Sequence, residues 1–64
     1  MLKLHTKKIR AEMARMELTE YDLAETWGLT RQAVYDFLNR RPITQADRFA
    51  KALNLDPKDL IIDE

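Results

Sequence analysis

Glycine and proline, the residues that most often interrupt regular secondary structure, are almost absent from this chain. Its 64 residues include one glycine, Gly28, and two prolines, Pro42 and Pro57. Elsewhere the apolar residues recur at spacings of three and four, which is the period of helices that each bury one face. The pattern predicts an all-α fold of short helices joined by tight turns, and residues 1–64 are expected to form a single domain.

The expected helices number five and cover about residues 6–16, 20–27, 31–39, 45–53 and 57–62. Their predicted N-caps are Thr6, Thr19 with Asp22 in a capping box, Thr30, Thr44 with Asp47 at the same spacing, and Asp56 before Pro57. Gly28 stands where a left-handed residue would end the second helix, and Pro42 prevents the third helix from continuing.

One face of each longer helix is predicted to form the core. The inward residues are Ile9, Met13 and Met16 in the first helix, Leu23, Ala24 and Trp27 in the second, Val34, Phe37 and Leu38 in the third, and Phe49, Ala50 and Leu53 in the fourth. The large aromatic side chains among them are therefore assigned to packing and not to nucleobase stacking.

The composition excludes several classes of function. Eleven basic residues balance eleven acidic ones, so any basic surface must be local. The chain has no cysteine and no serine to act as a nucleophile, and no glycine-rich phosphate loop, so we expect no enzymatic activity. His5, the single histidine, is expected to be exposed, and it makes no metal site without further ligands. No cofactor is expected.

No apolar run approaches the roughly 18 residues of a membrane span, and the alternation of Leu2, Lys3, Leu4 and His5 is unlike a signal-peptide core. The lack of cysteine is typical of a reducing compartment. We therefore expect a cytoplasmic protein that has no membrane partner.

Residues 20–39 have the pattern of a helix-turn-helix, in which two short helices are joined by a turn that contains glycine. Ala24 supplies a small residue where the third helix crosses the second. Gly28 permits the turn and Leu29 plugs it. Val34 and Phe37 hold the third helix down and leave its far side free. Several separate steric requirements are thus met within one short window.

The segment LTEYDLAETWGLTRQAVYDFLN, followed by a proline, FAKALNL and DPKDLI, resembles the Cro and lambdoid-repressor (XRE) helix-turn-helix family over roughly residues 6–62. The resemblance implies a compact five-helix lambda-repressor-like domain and an operator-binding transcriptional regulator, usually dimeric, whose third helix enters the major groove. A Cro-like repressor that excludes polymerase from a promoter is the function it favours.

Three positions depart from the family pattern. A buried arginine on the first helix and its glutamate partner on the third are replaced here by Met13 and Leu38. A hydrophobic pair is commonly as stable as a buried ion pair, so the fold is unaffected. Glu20 replaces a glutamine at the start of the second helix, where an acid is a poor neighbour for phosphate. Arg40 replaces a glycine, so the following turn must be built differently.

With Val34 and Leu38 inward, a rotation of about 100° per residue turns Gln32 and Asp36 outward. Arginine pairs with guanine edges, glutamine with adenine, and aspartate accepts from cytosine, so this face can be read as base-contacting. The family resemblance implies DNA contacts at the positions of Thr30, Arg31, Gln32 and Asp36. The full set of predicted base contacts is Thr30, Arg31, Gln32, Ala33, Tyr35 and Asp36. The resemblance also implies that Tyr21, Arg40 and Arg41 lie near phosphates. The full set of predicted phosphate contacts is Tyr21, Asn39, Arg40, Arg41, Lys7 and Lys8, with Arg10 a further candidate.

The sequence allows two interpretations of its C-terminal apolar residues and a second candidate function. Leu60, Ile61 and Ile62 are candidates for a homodimer interface, which forms either in free solution or only on DNA, while the competing interpretation is that Leu60 and Ile61 close the monomer core. The alternative function is a protein-binding adaptor of the same fold, such as an antitoxin or an antirepressor-like module. The zero net charge, Glu20 and Asp36 favour that alternative.

Overall fold

Four α-helices form most of the structure, and two three-residue strands join the ends of the chain. The computed structural model describes residues 1–64. Its elements in chain order are β1 (Leu2–Leu4), α1 (Thr6–Arg15), α2 (Glu20–Trp27), α3 (Arg31–Arg40), a first 3₁₀ turn (Ile43–Gln45), α4 (Ala46–Leu53), a second 3₁₀ turn (Pro57–Leu60) and β2 (Ile61–Asp63). None of the helices is both long and apolar enough to cross a membrane.

The core is entirely apolar, with twelve buried residues drawn from all four α-helices, β1, and the second 3₁₀ turn. The predicted inward stripes are confirmed for most positions, including Met13 and Leu38, which are both buried where the family has an ion pair. Trp27 and Phe37 are half-buried and pack against the core. The prediction for Met16 is wrong, because α1 ends at Arg15 and the methionine side chain is 38% exposed in the following turn.

The predicted fifth helix over residues 57–62 is wrong. A 3₁₀ turn covers Pro57–Leu60, and the chain then extends into β2, which pairs antiparallel with β1. The register places Leu4 opposite Ile61 and Leu2 opposite Asp63. Branched side chains suit a strand better than a helix, and pairing with β1 satisfies the backbone groups of the last residues. The fold is therefore mostly helical with a small sheet.

The predicted helix caps divide into confirmed and corrected ones. The reciprocal Thr19–Asp22 capping box is present, and Gly28 ends α2 in the left-handed conformation with φ 69°. Thr30 caps α3 by accepting from the backbone of Ala33, and Asp56 accepts from Lys58 at the second 3₁₀ turn.

Thr6 and Thr44 are not caps. His5 precedes α1, is half-buried rather than exposed, and accepts from the backbone N–H of Lys8 through Nδ1 at 3.4 Å. The Thr6 hydroxyl instead donates to the carbonyl of Leu38 at 2.9 Å, which ties the start of α1 to the last turn of α3. Thr44 lies within the first 3₁₀ turn, from which α4 continues without a side-chain cap.

Arg41 builds the turn after α3. It adopts the left-handed conformation with φ 60°, the role that a glycine often takes at a helix end. Its Nε donates to the carbonyl of Leu4 at 3.0 Å, and its two terminal nitrogens donate to the carboxylate of Glu64 at 2.6 Å each. The backbone N–H of Leu4 returns a hydrogen bond to the Arg41 carbonyl. The end of α3 is thus joined to β1 and to Glu64, the residue that follows β2.

Candidate nucleic-acid interface

The turn between α2 and α3 positions one helix across the other. After Gly28 the backbone N–H of Leu29 donates to the carbonyl of Ala24 at 2.8 Å, which closes the end of α2. Thr30 then caps α3 and sets its direction. Val34 and Leu38 are the buried residues of α3, so the opposite side of that helix faces away from the core.

The outer face of α3 carries the predicted base-contacting residues. Thr30, Arg31 and Gln32 are exposed, Tyr35 is 40% exposed, and Ala33 and Asp36 are half-buried at its edges. These residues therefore share one continuous surface that begins at the first turn of the helix. None of them is needed to fill the core.

Asp36 has a polar partner on its own helix. The Nε2 of Gln32 lies 3.5 Å from the Oδ1 of Asp36, one turn away. This long hydrogen bond engages one of the two N–H donors of Gln32 and leaves its carbonyl oxygen and second N–H free. The two side chains therefore present acceptors and a donor side by side, which is the chemistry that base edges recognise.

Arg31 is exposed at the first turn of α3 and lies against an aromatic ring of α2. Its guanidinium carbon is 5.8 Å from the centre of the Tyr21 ring, within the range of a cation–π contact. The two side chains border a shallow cleft of about 280 Å³ between the starts of the two helices, which is also lined by Ala24, Glu25, Leu29 and Thr30. Arg31 forms no ion pair within the chain.

The acid at the start of α2 is paired. Glu20 lies 3.5 Å from a terminal nitrogen of Arg10 on α1, so its charge is partly compensated. This contact reduces the repulsion that Glu20 would exert on a nearby phosphate, and it also engages Arg10.

Four of the predicted phosphate contacts lie where α1 begins and α3 ends. The Thr6–Leu38 hydrogen bond brings these two helix ends together. Lys7 precedes Lys8 in the first turn of α1, and Asn39 precedes Arg40 in the last turn of α3. Lys7, Asn39 and Arg40 are exposed and Lys8 is half-buried. They form a local basic rim on a chain whose net charge is zero.

Arg41 differs from Arg40 although the two are neighbours. Its guanidinium is engaged by Glu64, whose hydrogen bonds raise the pKa of Arg41 above its ordinary value. The same hydrogen bonds lower the pKa of Glu64 below the usual value of a glutamate. Glu64 thus occupies the guanidinium edge that a phosphate would need. No local sequence pattern indicates this pair, because its members are 23 residues apart.

The candidate dimer residues do not lie on one exposed patch. Leu60 is fully buried, so it closes the monomer core and is not available to a second copy. Ile61 is half-buried and packs against the core, and Ile62 is half-buried on β2. Only the two isoleucines retain surface that a second copy could contact.

A second arginine contact was missed by sequence reasoning. Arg48 of α4 lies with its guanidinium carbon 5.4 Å from the ring centre of Trp27 and 5.9 Å from that of Phe37. Trp27 in turn meets Phe49 edge-to-face at 5.0 Å. This cluster links α2, α3 and α4 behind the outer face of α3. Its members come from three different helices, so no local sequence pattern predicts their contact.

The geometry agrees with the comparisons to known proteins. Residues 8–64 match the family described as the Cro/C1-type HTH DNA-binding domain. The chain belongs to this family. As a Cro/C1-type domain, it carries a helix-turn-helix for binding DNA, formed here by α2 and α3.

A solved structure supports the same fold. The crystal structure of "a putative DNA-binding protein from Bacteroides fragilis" is 25% identical to this Cro/C1-type domain and superposes with a TM-score of 0.74. The match covers 97% of this chain and all of the other. None of the curated proteins matches.

Proposed function

We propose that this chain is a Cro-like repressor that occupies a promoter operator, with α3 in the major groove, and thereby excludes polymerase. The observation that carries the proposal is the outer face of α3, on which Arg31 and Gln32 are exposed at the end that would enter the groove. Family membership supports DNA as the partner. We further propose that residues 1–64 act as one domain in the cytoplasm.

Base contacts are proposed for six residues and phosphate contacts for a second set. The base set is Thr30, Arg31, Gln32, Ala33, Tyr35 and Asp36. The phosphate set is Tyr21, Asn39, Arg40, Lys7 and Lys8. Arg41 is assigned a structural part, because Glu64 and the carbonyl of Leu4 engage its guanidinium.

Two copies would bind one operator. A single helix of this length reads few base pairs, whereas two copies read half-sites about 34 Å apart and combine their specificities. Ile61 and Ile62 are the proposed contacts between copies, since both retain some exposure at the surface. A homodimer that forms on DNA requires no large apolar surface on the free protein.

Selection of binding sites from random duplex DNA tests the proposal. The expected result is a two-fold symmetric site with half-sites about 10 base pairs apart, bound with an affinity that falls steeply as salt rises. A variant with Arg31→Ala and Gln32→Ala is the matched control, because both side chains are exposed and their loss leaves the core intact. Failure to enrich any sequence, or equal enrichment by this control, would contradict the proposal.

The second candidate function is a protein-binding adaptor, such as an antitoxin or an antirepressor-like module. It is favoured by the zero net charge and by the two acids near the proposed DNA face, Glu20 and Asp36. Co-purification with one fixed partner in stoichiometric amount, together with no salt-dependent binding to duplex DNA, is the result that would favour this adaptor.

A further inference from the structure

Arg31 is the one basic side chain among the six proposed base contacts, and it is not paired with an acid. Glu25 lines the same cleft but forms no ion pair. Asp36 lies against Gln32, and Glu20 is paired with Arg10. No carboxylate lies within ion-pair distance of Arg31. Its guanidinium donates no hydrogen bond within the chain, so all of its N–H donors are free, and the Tyr21 ring is its one aromatic contact.

The Tyr21 ring restricts this guanidinium without consuming its donors. A free arginine side chain samples many rotamers, and fixing it on a ligand costs conformational entropy. An aromatic face attracts the cation through the ring quadrupole, whereas the N–H groups point outward in the guanidinium plane. The ring belongs to α2 and the arginine to α3, so the contact also depends on the angle that Gly28 sets between these helices.

We propose that Tyr21 is a positioning residue that holds Arg31 ready for bidentate hydrogen bonding to a guanine in each half-site. This inference rests on the proposed function, because it requires α3 to enter the major groove. The ring of Tyr21 positions Arg31, and this role is separate from any phosphate contact made by the Tyr21 hydroxyl. The base pair that Arg31 reads in each half-site is then G·C.

The experiment compares the selected operator with an operator in which that G·C pair is replaced. The measured quantity is the ratio of dissociation constants, taken as the value for the replaced operator divided by the value for the selected one. Arg31→Ala identifies the pair and is expected to lower the ratio by about five- to 150-fold, the usual range for one bidentate contact. Tyr21→Leu retains apolar bulk but removes the ring, and it is expected to lower the ratio by about two- to fivefold, the strength of an exposed cation–π contact.

Three further variants separate the possible roles of the residue. Tyr21→Phe keeps the ring and should keep the parent ratio, while any loss of phosphate contact would weaken both operators equally. Tyr21→Leu in an Arg31→Ala background should change the ratio no further. Arg48→Ala removes the other arginine that contacts aromatic rings. Arg48 belongs to α4 and is not part of the outer face of α3, so this variant should leave the ratio unchanged.

The outcomes distinguish the inference from the proposed function. Absence of sequence preference in the parent protein would overturn the proposed function and the inference together. Preservation of the parent ratio by Tyr21→Leu, alongside its loss in Arg31→Ala, would overturn the inference alone. Since Tyr21 is 57% exposed, these variants should fold, and thermal unfolding checks this directly.

Discussion

Arg40 and Arg41 are adjacent in sequence, and we expect their removal to have different effects on DNA binding. Arg40 is exposed in the last turn of α3 and has no ion-pair partner within the chain. Arg41 is held by Glu64 and by the carbonyl of Leu4. Arg40→Ala should therefore weaken DNA binding, whereas Arg41→Ala should lower the stability of the fold.

The size of the Arg40 effect follows from counterion release. Loss of one phosphate contact changes the slope of log affinity against log salt by about 0.9. Between 50 and 200 mM salt, a fourfold interval, the parent and Arg40→Ala affinities should therefore converge by about three- to fourfold. Arg41→Ala should keep the parent slope and lower the midpoint of thermal unfolding, and Arg41→Lys should show the same pattern because a lysine cannot replace the bidentate contact.

Fluorescence anisotropy with a labelled duplex at several salt concentrations measures these slopes, and circular dichroism measures the unfolding midpoints. Each slope must be taken below the unfolding midpoint of the variant. A slope that flattens in Arg41→Ala as much as in Arg40→Ala would refute the reasoning, because it would mean that Glu64 releases Arg41 to phosphate in the complex.

Three further outcomes are expected. Asp36→Ala should strengthen binding to non-specific duplex and relax preference at one base pair by about 1–3 kcal/mol, as measured by competition, and unchanged affinities would mean that Asp36 does not face DNA. Arg41 lowers the pKa of Glu64, so the pair stabilises the fold above the ordinary glutamate pKa. This stabilisation is lost as the pH falls through the lowered pKa. E64Q should therefore make the midpoint of thermal unfolding depend less on pH in the acid range. Glu17 is exposed with φ 57°, so Glu17→Gly should stabilise the fold by about 0.5–1 kcal/mol in urea unfolding. Asn54→Gly, at the same φ, should gain less because asparagine tolerates that conformation, and equal gains would contradict the argument.

The helix-turn-helix could be predicted from sequence because its signals are local. Thr19 and Asp22 are three residues apart, and Gly28 and Thr30 act on the backbone beside them. The outer face of α3 follows from the helical period once Val34 is known to be inward.

The small sheet could not be predicted in the same way. The Asp56–Pro57 start signal is compatible with an α-helix and with a 3₁₀ turn, and it does not decide which follows. The strand forms because Leu4 of β1 pairs with Ile61. A local sequence pattern does not indicate a pairing partner so far away in the chain. For the same reason the Tyr21–Arg31 contact was not foreseen, because it depends on the angle between two helices.

The pairing of β1 with β2 closes nearly the whole chain into a ring, because it joins Leu2 to Asp63. Contacts between such distant residues form only after the intervening helices have brought them together. β1 and Glu64, the residue after β2, also hold the turn at the end of α3 through Arg41. That turn should therefore be among the last parts of the protein to become rigid and the first to loosen. A substitution in either terminal strand can then alter the residence time on DNA although the substituted residue does not contact DNA.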